Sequence, residues 1–199
     1  MTRDRLREVV VAGYDGDGTT ARAALGDDDP AVRALALGAL DRIGTLTDDD
    51  LRAAFGDHAP VVRRRAVELA ALRTSVDLIE PLHDPDPGIV EVAAWACGEH
   101  VDVSDAELSR LVELAGTAEA ALVREAAVAA LGAIGDVRGL PAILAGCQDV
   151  PTVRRRAVLA LAPFEGDAVE AALDAALEDR DWQVRQAAED LRRAAGGQH

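Results

Sequence analysis

The chain has 199 residues, 49% hydrophobic but only 3% aromatic, with 41 alanines, no lysine and no asparagine. Its 36 acidic residues outnumber 21 arginines, giving a formal charge of −15 at pH 7. This length and apolar content exclude general disorder. The aromatic-poor core points to closely packed helices, and the charge disfavours nonspecific binding to nucleic-acid phosphates.

At the N-terminus, Arg3 to Val11 reads as a short helix preceding the repeated part of the chain. Its apolar stretch, Val9 to Gly13, is too short and wrongly flanked for a signal peptide. No window offers the roughly 18 apolar residues of a membrane span. Cys97 and Cys147 stand fifty residues apart in apolar helical contexts and read as free thiols. Together these features set the expectation of a cytoplasmic protein.

From residue 27 onward one pattern recurs six times, opening at Asp27, Asp57, Asp84, Glu119, Asp149 and Asp179. Aligned on valine, the anchors are Val32, Val62, Val90, Val123, Val153 and Val184, spaced by 30, 28, 33, 30 and 31 residues. The next residue is Arg33, Arg63, Arg124, Arg154 or Arg185 in five copies and Glu91 in the third. Four places after the anchor stands alanine: Ala36, Ala66, Ala94, Ala127, Ala157 and Ala188. Each copy reads as a helix start, with Pro30, Pro60 or Pro151 in a first turn that has no use for the missing N–H. Shorter helical segments are predicted between the copies: Thr19 to Leu25, Asp48 to Phe55, Val76 to Leu82, Asp105 to Leu114, Arg138 to Leu144 and Ala168 to Leu177. No window alternates with the period of a strand.

The D/P–x–V–R–x–x–A signature resembles that of the HEAT-repeat family, particularly the short HEAT-like repeats also found in phycobilin lyases. The resemblance covers residues 19–194. It implies an all-α fold, a right-handed α-solenoid of about six stacked helix-turn-helix repeats with an N-terminal capping helix. The expected organisation is one domain over residues 1–199. A cap helix and loop occupy 1–18, and repeats occupy about 19–44, 47–73, 76–100, 104–135, 137–165 and 167–195. The resemblance also implies that the second helix of each unit lines a concave side, but it does not fix a function.

At about 100° per residue, the anchor and the residues four, seven and eight further on share the buried arc. The repeated arginine lies on its shoulder. Arg33, Arg63, Arg124, Arg154 and Arg185 therefore read as a structural ladder to the recurring aspartates, against the alternative of a basic stripe for an anionic partner. Opposite the core lie Arg64, Glu68, Val92, Trp95, Glu99, Glu125, Arg155 and Leu159, the candidate partner-binding residues. Their mixed charge suits a peptide or helix with apolar anchors. Trp95 reads either as edge packing or as a partner anchor, because the valine alignment sets it against Leu37, Val67, Val128, Val158 and Glu189. Trp182 stands in a proline position and is expected to cover the C-terminal end. The extra arginines of Arg63–Arg65 and Arg154–Arg156 read as solvated surface or as anion contacts.

No phosphate loop, dinucleotide fingerprint, nucleophile elbow or zinc-type cysteine pair is present. His58, His83, His100 and His199 are too dispersed for a metal site, and no cofactor is expected. The leading expectation is a non-enzymatic scaffold or adaptor that binds a protein or peptide, with a monomer favoured. The alternative is a lyase-type subunit or chaperone handling a bilin-like chromophore, suggested by the repeat subtype alone. Nucleic-acid binding ranks third, and no membrane partner is expected.

Overall fold

The computed structural model describes residues 2–196, which hold twelve α-helices and no strand. His199 lies outside the described residues. Among the described residues no helix is long and apolar enough to cross a membrane. The chain divides into two compact units, Met1–Ala96 and Cys97–His199.

In the first unit, α1 (Thr2–Asp15) is followed by α2 (Gly18–Ala23), which tightens into a 3-10 turn at Ala24–Gly26. Next come α3 (Pro30–Ile43), α4 (Asp48–Phe55), α5 (Pro60–Ala70) and the start of α6 (Pro87–Glu99). Helix α3 packs between α1 and α5, while α2 and α4 pack behind α3 and α5 respectively. So α1 takes the place of an anchor helix from a preceding repeat. Local chemistry sets the ends. The Asp29 carboxylate accepts the Ala31 N–H ahead of Pro30, and Thr47 and Asp50 form a reciprocal capping box at α4. Gly44 closes α3 at φ +80°, a backbone conformation that glycine adopts without a Cβ penalty.

The helix expected over Val76 to Leu82 is absent, and only a 3-10 turn, Pro81–His83, forms there. Pro81 has no N–H to donate back four residues, and the Asp77 side chain takes the Ile79 N–H in a turn of its own. The apolar spacing still has its effect, because Val76, Leu78 and Leu82 are buried.

The second unit contains α7 (Asp105–Thr117), α8 (Ala121–Ile134), α9 (Leu140–Gly146), α10 (Pro151–Ala160), α11 (Asp167–Leu177) and α12 (Trp182–Gly196). Helix α10 packs between α8 and α12; α7 and α9 pack on α8, and α11 on α12. The anchor helices approach through small residues. A Cβ on Gly132 of α8 would stand 2.6 Å from Ala160 Cβ of α10, and one on Gly13 of α1 would stand 3.0 Å from Ala39 Cβ of α3.

Burial corrects the register of the third copy by one residue. Pro30, Pro60 and Pro151 each stand two places before their anchor, and so does Pro87 if the anchor is Ile89 rather than Val90. The backbone agrees. Ile89 and Val90 donate to the Asp86 carbonyl as Val32 and Arg33 donate to that of Asp29. In this register the alanine of the third copy is Ala93, and all six alanines at that position are fully buried. Val90, not Glu91, then occupies the arginine position, and Trp95 aligns with Gly38, Glu68 and Leu159 instead of the buried Leu37, Val67 and Val158.

The repeated arginines join consecutive turns. Arg33 donates Nε and Nη2 to the two Asp57 oxygens at 2.8 and 2.7 Å, and Nη1 to the Asp27 carbonyl at 2.9 Å. Arg63 grips Asp84 in the same way at 2.6 and 2.9 Å, Arg124 grips Asp149 at 2.7 and 2.8 Å, and Arg154 grips Asp179 at 2.8 and 2.9 Å. Each Nη1 returns to a carbonyl of its own turn, at Asp57, Ala118 or Asp149. Among the described residues Arg185 keeps only that last kind of bond, to the Asp179 carbonyl at 2.6 Å. At the other end Arg5 of α1 reaches Asp27 at 3.3 Å, a rung the sequence pattern does not reveal.

Two predictions rest on this packing. Gly132→Ala forces α8 off α10 and should destabilise the protein by about 1–3 kcal/mol in urea unfolding. Arg154→Ala strips Asp179 and the Asp149 carbonyl of their partner at a site where Arg154 is only 7% exposed. It should cost about 1–3 kcal/mol, and Arg154→Lys should recover only part, lacking the planar fork.

A pH prediction follows from the same bonds. The guanidiniums of Arg33, Arg124 and Arg154 hold the Asp57, Asp149 and Asp179 carboxyls below their usual range. A carboxyl with a depressed folded-state pKa adds stability above its unfolded pKa of about 3.9, and that stability is lost as pH falls through the folded value. The unfolding midpoint should therefore hold from pH 7 to about 5 and drop below about 4. Asp149→Asn, which has already lost one such carboxyl, should show a smaller drop.

Candidate functional site

With the ladder arginines drawn into the turns, the residues left for a partner are those on the outward side of the anchor helices. The structure places the eight candidates unequally. Arg64, Trp95, Glu99, Arg155 and Leu159 are exposed, and Glu68 and Glu125 are half-buried. Val92 is buried at 6% and cannot meet a partner; in the corrected register it falls three places after the anchor rather than two. Trp95 is 48% exposed, which settles its position as surface rather than core. Trp182, in the first turn of α12, is 65% exposed.

The seven candidates other than Val92 divide between the units. Arg64, Glu68 and Trp95 belong to the first, and Glu99, Glu125, Arg155 and Leu159 to the second. In the second unit, Arg156 stands 3.5 Å from Glu125 across α10 and α8, while neighbouring Arg155 is exposed.

The first unit holds a shaped feature that the repeat pattern does not show. A cleft of about 370 Å³ lies along α1, α3 and α5. Its apolar lining includes Val10, Ala34, Leu35 and Val61. Val10 and Leu35 are each 38% exposed and Val61 is 50% exposed. Arg42, Arg64, Arg65 and Glu68 complete the lining. Glu68 accepts from both Arg64 and Arg65, at 3.2 and 3.3 Å, while the Arg42 guanidinium lies 4.5 Å from the centre of the Tyr14 ring. Val10 and Arg42 lie outside the copies' aligned candidates, so no spacing rule could have found them. Their signal is the packing of α1 against α3.

A second cleft, of about 390 Å³, sits at the turns of α10 to α12 and is lined by Cys147, Asp149, Arg154, Asp179 and Arg180 among others. Its polar groups are largely the ladder itself. Burial pushes the Cys147 thiol up to about 11, so it is not a ready nucleophile. Cys97 is also a free thiol, and fully buried. The histidines lie apart: His58 is within 3.3 Å of Arg33, His83 bonds the Ile79 carbonyl, and His100 is buried. Among the described residues no cluster of His, Cys, Asp and Glu could hold a metal ion.

Comparison with solved structures gives the same architecture. A designed armadillo repeat protein in complex with the peptide (KR)4 is 17% identical and superposes with a TM-score of 0.64, covering 89% of this chain and 98% of that one. The YibA protein of Escherichia coli is 20% identical, with a TM-score of 0.59 over 81% of this chain and 63% of that one. At these identities the likeness is one of fold alone. No curated protein matches the chain in sequence. Residues 75–162 match the family of HEAT repeats, and the helix pairs on either side carry the same anchor, arginine and alanine.

Proposed function

We propose that the protein is a scaffold that holds a partner protein on the outward sides of its anchor helices. One observation carries this reading. The buried positions repeat from copy to copy, with alanine invariant, whereas the position six places after the anchor, half-buried or exposed, changes freely: Gly38, Glu68, Trp95, Ala129, Leu159 and Asp190. Packing holds the first set. The second set is left to vary, and it includes an exposed Trp and an exposed Leu on helices that need neither for their own core.

Repeat folds of this kind commonly serve as protein-interaction platforms, and the designed armadillo protein of the same fold was solved with a peptide. Both support a protein or peptide partner. Within this reading Arg64, Glu68 and Trp95 contact the partner from the first unit, and Glu99, Glu125, Arg155 and Leu159 from the second. Trp95 would supply the largest apolar contact, and the charged residues its register and selectivity.

Immobilised native protein challenged with extract of its own host should retain a partner that a Trp95→Ala, Arg155→Glu double variant loses. Both substitutions are at exposed positions, so the variant should unfold at nearly the native midpoint. A partner held equally by both forms would place the interface elsewhere, and recovery of none would remove the scaffold reading.

A further inference from the structure

The cleft on α1, α3 and α5 has a charge opposite to that of the chain. Three guanidiniums, from Arg42, Arg64 and Arg65, meet one carboxylate, that of Glu68. Arg64 and Arg65 share this single acceptor, and among the described residues Arg42 has no carboxylate partner, only the Tyr14 ring. A chain of charge −15 thus holds a local excess of two positive charges above an apolar floor. At physiological salt the screening length is about 8 Å, so these local charges govern what settles in the cleft rather than the distant turn acids.

From this complementarity we propose that the cleft is a docking site for an acidic peptide segment of a partner protein that carries aliphatic side chains. The inference rests on the scaffold reading and names the chemistry of its partner. Val10, Leu35 and Val61 come from three successive anchor helices, one from each. Packed helices lie about 8–10 Å apart, which matches about three residues of extended chain at roughly 3.1 Å each. An aliphatic residue at every third place would reach the three floor positions, and acids between them would meet the arginines. Guanidinium forks bind carboxylates through paired hydrogen bonds, which selects carboxylates over hydroxyls or amides. Glu68 acts as the occupant's competitor, holding two of the three arginines when the cleft is empty.

The probe is a fluorescein-labelled peptide of three Leu-Glu-Glu units, read by anisotropy against the full chain at physiological salt. It should bind, while the Leu-Lys-Lys and Ser-Glu-Glu counterparts should bind at least about tenfold more weakly. Arg42→Glu, Arg64→Glu and Leu35→Glu should each weaken the Leu-Glu-Glu peptide by about tenfold or more. Glu68→Gln should tighten it several-fold, because it releases both arginines. That gain cannot come from a misfolded chain and so protects the test against variants that merely unfold. Equal affinity for the lysine peptide, no binding at millimolar peptide, or weaker binding by Glu68→Gln would overturn the assignment. A host partner that survives Arg42→Glu but is lost with Arg155→Glu would keep the scaffold reading and remove this cleft from it.

Discussion

Four of the five ladder arginines, Arg33, Arg63, Arg124 and Arg154, bond in two directions at once, and the stacking of the helices depends on that. One edge of the guanidinium forks onto an aspartate in the turn of the following repeat, and the remaining nitrogen returns to carbonyls of its own turn. The aspartate is itself committed twice. Asp57, Asp84 and Asp179 each also accept a backbone N–H two residues on, so one carboxylate caps its own turn and receives its neighbour's arginine. Carbonyls and N–H groups that short loops would leave unpaired are thereby satisfied without water. Lysine could not replace the arginine, having no planar fork to span carboxylate and carbonyl together. Within each unit the ladder fixes both the spacing and the rotation of one repeat against the next.

Along the helices a second constraint complements it. Where Gly132 meets Ala160, and Gly98 meets Ala130, the backbones come too close for even one added carbon to fit without a shift. The alanine four places after each anchor, fully buried in every copy, belongs to the same close-packed interior. Such a core has little room for rings. Phe55 is buried, but Tyr14, Trp95 and Trp182 are all largely on the surface. The 3% aromatic content is therefore a consequence of the packing, and the aromatic side chains that remain are free to act at the surface.

The elements that recur were legible because three unlike residues, anchor, arginine and alanine, repeat at fixed offsets. Misreading came where that redundancy failed. Ile89-Val90 and Ala93-Ala94 are doubled, so the third copy satisfies the anchor and alanine positions in two registers, and only the distance from Pro87 separates them. The slip carried Trp95 onto a buried row and Val92 onto an exposed one. The segment at 76–82 has helical apolar spacing, yet the missing N–H of Pro81 outweighs it. The cleft was illegible for a different reason. It needs Val10 beside Leu35 and Val61, and α1 lacks the repeat signature. Its kinship with the anchor helices appears only in the bond from Arg5 to Asp27 and in its packing on α3.

The third copy also tests what the ladder demands of a sequence. Val90 stands where the other copies place arginine. In the fourth copy, the carbonyl that receives the Nη1 of Arg124 belongs to Ala118, whereas for Arg33, Arg63 and Arg185 the corresponding residue is an aspartate. The fourth copy still carries an acid one place on, Glu119, as far before Arg124 as Asp149 is before Arg154, but it is exposed. A rung arginine left without its acid, or an acid left without its arginine, would be a charge largely withdrawn from water with no partner, at a cost of about 1–3 kcal/mol or more. Replacing the arginine with valine while the acid stays in solvent avoids that penalty and gives up only the modest net gain of the pair. Such an energy balance allows an arginine to be lost only where no acid is left buried, and it marks the ladder as a set of coupled pairs rather than a row of independent surface charges.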